Sequence, residues 1–87
     1  KLTILDNLPQ GLKRLWCEYN QLISLDNLPL GLQKLFCGNN QLTSLDNLPP
    51  GLIELDCYDN PLKYHFEPTL EDIREYNLEK QTNKNSL

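Results

Sequence analysis

The sequence predicts an α/β repeat solenoid: a short arc with parallel strands on the concave face, an extended convex side and a C-terminal capping helix. Three observations support this fold class. A 20-residue segment occurs three times in succession, apolar and polar residues alternate late in each copy, and a helical pattern follows the last copy. A fixed period of this length is typical of solenoids, in which each repeat packs only on its neighbours. A chain of 87 residues forms one small domain at most.

The repeats occupy residues 1–62 and align without gaps. The three copies are 2–21 (LTILDNLPQGLKRLWCEYNQ), 22–41 (LISLDNLPLGLQKLFCGNNQ) and 42–61 (LTSLDNLPPGLIELDCYDNP). In the first copy, Leu12, Leu15 and Cys17 alternate with outward residues, which predicts a short strand with one buried face. Successive strands would then lie parallel and about 4.8 Å apart.

A return segment joins each strand to the next and contains one invariant Pro and one invariant Gly. These residues are Pro9, Pro29 and Pro49, and Gly11, Gly31 and Gly51. Proline lacks a main-chain donor and fixes φ, so we expect an extended or polyproline-like return and no helix. We expect the glycines to allow a sharp re-entry into the strand. Leu5 and Leu8 and their equivalents would close the core from this side.

The frame L-x-x-L-x-C-x-x-N-x-L resembles the signature of leucine-rich repeats, with Cys in a strand position where Leu or Val is usual. The resemblance covers residues 2–62 in three copies. The 20-residue length and the L-P-x-G-L segment resemble the short repeats of bacterial effectors and, more closely, of proteins from giant viruses of amoebae. The resemblance implies a structural ladder in which Asn20, Asn40 and Asn60 satisfy main-chain groups of neighbouring repeats.

After Leu62 the repeat pattern ends, and residues 63–80 predict a C-terminal cap. Thr69 is a suitable N-cap with Asp72 three residues later, so we expect a helix over about 69–80. Leu70 and Ile73 share one side and would cover the core of the last repeat. We predict a flexible tail over 81–87. Nothing comparable precedes the first repeat, so its core is expected to be exposed.

Composition limits the function classes. The net charge of −4 argues against a nucleic-acid partner or an anionic membrane surface. No apolar run approaches the length of a membrane span, which predicts a soluble chain. Three Cys is an odd number at repeat spacing, which suits the cytoplasm or another reducing compartment, such as a host cytoplasm or a virion if the protein is viral.

No catalytic, cofactor or metal site is predicted. The three thiols of Cys17, Cys37 and Cys57 are expected to pack as small apolar groups, because close metal-ligand pairs such as C-x-x-C are absent. Asp6, Asp26 and Asp46 occupy equivalent positions and could form a Ca²⁺-binding site. One carboxylate per repeat is too few for such a site, and we expect each Asp to accept a hydrogen bond from the main chain of its own turn. The sequence therefore favours a protein that is not an enzyme.

The outward residues of the strands, together called the strand face, are the best candidates for binding. Trp16 and Phe36 share one outward column on adjacent strands and should touch. Aromatic residues with Arg nearby are typical anchors of protein interfaces. We therefore predict a non-catalytic module that binds a protein or peptide, although small solenoids also expose aromatics without a partner. The predicted partner-binding residues are Trp16, Phe36, Tyr19, Arg14, Lys34 and Tyr58.

Two alternatives remain open from the sequence. The exposed first repeat could receive another copy of the chain, making the protein a structural subunit that assembles through its ends into rings or filaments. The repeats could also select substrates for an enzyme elsewhere in a larger effector. Effectors with similar repeats can carry a ubiquitin-ligase domain, and no residue of this chain matches its catalytic Cys.

Overall fold

The computed structural model describes the backbone of residues 1–85 and the side chains of residues 1–81. Three short strands, β1 (Arg14–Trp16), β2 (Lys34–Phe36) and β3 (Glu54–Asp56), precede one helix, α1 (Leu70–Asn85). The strands form an open parallel sheet in the order β1-β2-β3. Paired residues are 20 apart in sequence, as in Arg14 beside Lys34, so each strand comes from the equivalent position of its repeat. The predicted parallel strands and C-terminal helix are confirmed.

The core is built from equivalent leucines and cysteines of the three repeats. Leu32 and Leu35 are fully buried in the middle repeat, and the Cys37 thiol lies beside them in the core. The alternation seen in the sequence therefore does place one face of each strand inward. The first repeat is less well covered: Leu2 is 54% exposed, whereas its equivalents Leu22 and Leu42 are fully buried.

The return segments contain no helix within residues 1–69, as the prolines predict. Each return ends in a tight turn, for example with the Leu32 N–H donating to the Pro29 carbonyl at 3.1 Å. The expectation for the glycines is wrong. No Gly in the described chain has positive φ, and a Cβ at Gly11 would meet nothing within 4 Å. The sharp re-entry therefore does not require glycine.

Left-handed backbone occurs at other positions instead. Asn7 and Asn27 adopt it in the returns, with φ of 57° and 58°. Tyr19, Asn39 and Asp59 adopt it where each strand ends, with φ of 58° to 59°. Asn and Asp tolerate this region because their short side chains bond locally, whereas Tyr does not. The left-handed residue at the strand end thus occurs in all three repeats, whereas that of the return occurs in the first two and not at Asn47.

The C-terminal segment packs on the last repeat. The Thr69 hydroxyl accepts from the Asp72 N–H at 3.2 Å, which confirms the predicted N-cap. Ile73 is fully buried, while Leu70 is only half-buried. The helix runs to Asn85, five residues past its predicted end, so 81–85 do not form the expected tail. Residues 86 and 87 lie outside the described residues.

Two side chains of α1 tie the helix to the return of the third repeat. The Arg74 guanidinium donates to the Pro49 carbonyl oxygen at 2.8 Å. The Asn77 amide donates to the Leu45 carbonyl oxygen at 2.9 Å. The helix is therefore held by polar bonds to the return as well as by the burial of Ile73. Within the described residues, no helix has both the length and the apolar character needed to cross a membrane.

Candidate binding face on the sheet

Trp16 and Phe36 form the centre of the strand face. They are register partners at the ends of β1 and β2, and their rings stack with centroids 5.4 Å apart and planes 8° from parallel. Trp16 remains 61% exposed, while Phe36 is half-buried. The pair is therefore held in place by its own contact and still presents a flat apolar surface to the outside.

A row of charged side chains lies two residues before this stack. Arg14, Lys34 and Glu54 are register partners on the three strands. The Lys34 ammonium pairs with the Glu54 carboxylate at 3.5 Å. Arg14 is exposed and makes no side-chain hydrogen bond or ion pair with any residue that the structure describes. Its guanidinium, two residues before Trp16 on the same strand, is available to a ligand.

Two tyrosines lie beyond the stack, at the carboxyl ends of the strands. Tyr19 and Tyr58 are 65% and 58% exposed. The ring of Tyr58 covers Gly38, where an added Cβ would lie 3.2 Å from the Tyr58 carbonyl oxygen and 3.5 Å from the ring. The charge of Asp56 raises the pKa of the Tyr58 hydroxyl, with a smaller effect from burial. This hydroxyl is therefore a hydrogen-bond donor at neutral pH.

The structure brings four of the six predicted binding residues together and leaves Tyr19 and Tyr58 outside that group. Trp16, Phe36, Arg14 and Lys34 are direct neighbours in the ladder. Neither Tyr19 nor Tyr58 stacks on the Trp16–Phe36 pair within the described chain. The face thus has an aromatic centre and, beside it, a charged row in which Arg14 is the cation without an ion-pair partner among the described residues.

The asparagines form the bonds that the resemblance implies. The Asn40 amide donates to the carbonyls of Cys17 and Cys37 at 3.1 and 3.0 Å, and its oxygen accepts from the Leu22 N–H at 3.0 Å. Asn60 repeats this arrangement one repeat later, with its oxygen accepting from Leu42. These side chains satisfy main-chain groups at the strand ends and so hold the face in register.

The cysteine column offers no reactive group. Cys17, Cys37 and Cys57 are free thiols and buried. Burial raises the pKa of Cys17 and Cys57 to about 11, and raises the pKa of Cys37 as well. Because the thiolate is the nucleophile and the metal ligand, these groups are inert at neutral pH. Within the described residues, no group of three His, Cys, Asp or Glu side chains could hold a metal ion.

The aspartate column differs from its prediction. Asp26 accepts a hydrogen bond from the Ser24 hydroxyl at 3.0 Å, and Asp46 accepts one from Ser44 at 3.1 Å. Each of these carboxylates therefore accepts from the serine hydroxyl two residues earlier. The sequence analysis expected a hydrogen bond to the main chain of the same turn instead. Asp6 follows Ile4, which has no hydroxyl, so the first repeat lacks the equivalent bond.

Sequence reasoning missed one aromatic cluster in the C-terminal segment. Tyr64, Phe66 and Tyr76 lie with ring centroids 4.9 to 5.6 Å apart. The Tyr64 hydroxyl accepts from the Leu45 N–H at 2.8 Å, so the cluster joins the cap to the third repeat. Its signal was available: apolar residues alternate at every second position over 62–70.

Comparisons of the chain with protein-family models, with curated proteins and with solved structures found no match.

Proposed function

We propose that the chain is a non-catalytic protein-interaction module that binds a protein or peptide on its strand face. The observation that carries the proposal is the parallel stack of Trp16 on Phe36, with Trp16 61% exposed. Large aromatics dominate interface energetics because they lose much water-exposed area with few rotatable bonds. Arg14 adds a cation with no partner in the described chain, next to that surface.

The proposed framework is a short leucine-rich-repeat solenoid. Its support is the equivalence of the repeats in space: paired residues are always 20 apart, and Asn40 and Asn60 make the same bonds. A stack of this kind varies its outward residues without disturbing its core. Buried free thiols also suit the proposed reducing compartment.

Tyr19 gives independent support. It holds a left-handed backbone with φ of 59°, a conformation that the other repeats assign to Asn39 and Asp59. A left-handed residue other than Gly, Asn or Asp costs roughly 1 kcal/mol or more. The exposed phenol therefore occupies a position where it weakens the fold, and a binding role explains its presence there.

The competing explanation is that the aromatic pair only stabilises the sheet. A stacked aromatic pair contributes about 0.5–1.5 kcal/mol to folding stability. That gain is large enough to account for the pair without a binding partner. Binding and stability must therefore be measured separately on the same variants.

The test uses peptides selected from a displayed random library against the wild-type chain. Trp16 is the single tryptophan, so its fluorescence reports directly on the face. Selected peptides should shift the emission to shorter wavelength and protect Trp16 from iodide. We expect the double change Trp16→Ala, Phe36→Ala to reduce their affinity at least about 100-fold, as for a pair of hot-spot residues. Affinity is measured by calorimetry, since this variant has no tryptophan.

The matched control is Ile23→Ala, Leu30→Ala, which removes two large side chains that are 66% and 74% exposed and lie outside the strands. It should bind with wild-type affinity. Peptides that bind the Trp16, Phe36 double variant and the control equally well would refute the strand face as the site.

A further inference from the structure

Two neighbouring cavities lie between the third repeat and the segment that leads into α1. The first has a volume of about 370 Å³, and Leu55 and Leu70 are among its lining residues. The second has a volume of about 320 Å³, and Leu62 and Phe66 are among its lining residues. The residues that line both cavities are Cys57, Tyr58 and Pro68. Because the two cavities share a wall, they form one groove with two compartments.

The first compartment combines apolar and acidic residues. Leu55 and Leu70 are half-buried, and Asp56 and Glu67 belong to the same lining. Neither carboxylate forms an ion pair with another residue in the part of the chain that the structure describes. A lysine or arginine side chain matches this lining, because its carbon stem packs on apolar surface while its cation pairs with carboxylates.

The second compartment is lined by aromatic and aliphatic side chains. The rings of Tyr64 and Phe66 stack with centroids 4.9 Å apart, and Leu62 is half-buried. The Tyr64 hydroxyl accepts from the Leu45 N–H at 2.8 Å, so this ring is fixed by the fold itself. A pre-formed apolar compartment of this kind suits an aliphatic or aromatic side chain.

The wall between the compartments lies in a negative field. At this wall, the Cys57 thiol donates to the Pro68 carbonyl oxygen at 3.5 Å, and Tyr58 is 58% exposed. The charge of Asp56 is the largest cause of the raised pKa of the Tyr58 hydroxyl, and Asp59 of the second compartment acts in the same direction. Carboxylates on both sides of the wall therefore attract a cationic ligand to the groove.

We propose that this groove binds an extended segment of another protein that carries a lysine or arginine and, two residues away, an apolar side chain. In an extended chain, side chains two residues apart point to the same side and lie about 6.6 Å apart, so they can enter adjacent compartments. The cationic side chain lies along Leu55 and Leu70 and pairs with Asp56 and Glu67. The apolar side chain occupies the second compartment. A segment with a carboxylate in the cationic position is rejected, because like charges would meet.

This site is separate from the Trp16–Phe36 pair of the proposed function. Neither ring lines either compartment, and Tyr58 is the one predicted binding residue of the strand face, among those the structure describes, that lines both. Binding in the groove therefore does not require a partner on Trp16.

The test uses a defined probe, a seven-residue peptide in which arginine and phenylalanine alternate with serine between them. It is titrated into the ¹⁵N-labelled 87-residue chain, and amide chemical shifts are followed. We expect saturable shifts at residues 55–60 and 64–70, with no change in Trp16 fluorescence. A matched peptide with glutamate in place of arginine should bind at least about tenfold more weakly, since it reverses the charge.

Variants of the chain locate the site. Glu67→Lys should weaken the arginine peptide about tenfold, and Glu67→Gln, which removes the charge and keeps the size, should weaken it less. Asp6→Lys is the matched control: it makes the same change in net charge in the first repeat and should alter the affinity less than about twofold, because distant exposed charges are screened.

Three results would overturn the proposal. They are an absence of shifts at 55–60 and 64–70 up to the solubility limit of the peptide, equal affinity for the arginine and glutamate peptides, and equal effects of Glu67→Lys and Asp6→Lys. Shifts confined to residues 14–16 and 34–36, with a change in Trp16 fluorescence, would move the peptide to the strand face. The groove would then be refuted while the proposed function remained intact.

Discussion

The Asn40 amide nitrogen donates to the carbonyl oxygen of Cys17 at 3.1 Å, although the two residues are 23 apart in sequence. The same amide also bonds the Cys37 carbonyl in its own repeat. One side chain thus joins the ends of two neighbouring strands in a site where Asn40 is only 3% exposed. Buried main-chain groups without a hydrogen-bond partner lower the free energy of unfolding. Removing the Asn40 side chain therefore tests how strongly the repeats are joined.

Replacing Asn40 with Ala should lower the free energy of unfolding by about 3 kcal/mol, because the Leu22 N–H and three carbonyls lose a buried partner. Asn20→Ala is the matched control. Asn20 bonds the Leu2 N–H and two carbonyls in a partly exposed setting, and its loss should cost about 1 kcal/mol. Urea denaturation measures both, and equal losses would contradict the role of Asn40 as a link between repeats.

Tyr19→Asn should change stability and binding in opposite directions. The variant relieves an unfavourable left-handed tyrosine and should gain about 1 kcal/mol of stability. It also removes a 65% exposed phenol from the strand face and should weaken the selected peptides. Tyr58→Asn is the control, since Tyr58 does not have positive φ and offers no strain to relieve. A Tyr19→Asn variant with unchanged affinity would remove Tyr19 from the binding face.

Ile73→Ala should cost about 2–5 kcal/mol, because it leaves a cavity where α1 meets the core. That loss is a large share of the roughly 5–15 kcal/mol that stabilises a typical domain. Glu75→Ala, on an exposed part of the same helix, should change stability by less than about 0.5 kcal/mol.

Two truncations test the cap as a whole. Deleting 63–87 should unfold or aggregate the repeats, whereas deleting only 81–87 should change the melting temperature little, since the Arg74 and Asn77 bonds remain. Thermal unfolding followed by circular dichroism distinguishes these results. An unchanged melting temperature after the longer deletion would show that 63–87 is not a cap.

Alkaline pH should destabilise the fold through the buried thiols. Unfolded Cys loses its proton near pH 8.5, whereas native Cys17 and Cys57 keep theirs to about pH 11. Above about pH 8.5 the unfolded chain therefore binds fewer protons, and stability falls as pH rises. Each thiol contributes up to about 1.4 kcal/mol per pH unit in this window.

Denaturant unfolding between about pH 8 and 9.5, in reducing buffer, measures this slope below the range where unfolded tyrosines ionise. Cys57→Ala should reduce the slope by about one third, because it removes one of three raised thiols. A free energy of unfolding that does not change with pH in this range would mean that the thiols ionise equally in both states.

Much of this architecture could be predicted from the sequence because repetition multiplies a weak signal. A three-residue strand such as Arg14–Trp16 is hard to recognise alone, but three copies of its pattern determine both the strand and its parallel register. The position of Trp16 on Phe36 follows from that register. Thr69 predicted the helix start because capping is a local property.

The predictions that failed were those made from the type of a residue alone, without knowledge of the residues that contact it. The invariant glycines suggested a special backbone, but left-handed residues occur elsewhere, including Tyr19, where no residue preference predicts one. The helix end was placed too early because Gln81 and the residues after it lack an apolar face. Tyr64 and Phe66 fell within the predicted cap of residues 63–80, but their contact with Tyr76 was not predicted.

The position of the cap in the chain affects how the protein is made. Ile73 and the aromatic cluster follow all three repeats, so they leave the ribosome after the segments they cover. At about 5–20 residues per second, each repeat of 20 residues takes roughly 1–4 s to synthesise. Throughout that interval the leucines of the newest repeat lack a neighbour on one side. The nascent chain should therefore engage chaperones until residues 64–73 emerge, and a ribosome stalled within the third repeat should hold a chain that remains sensitive to protease.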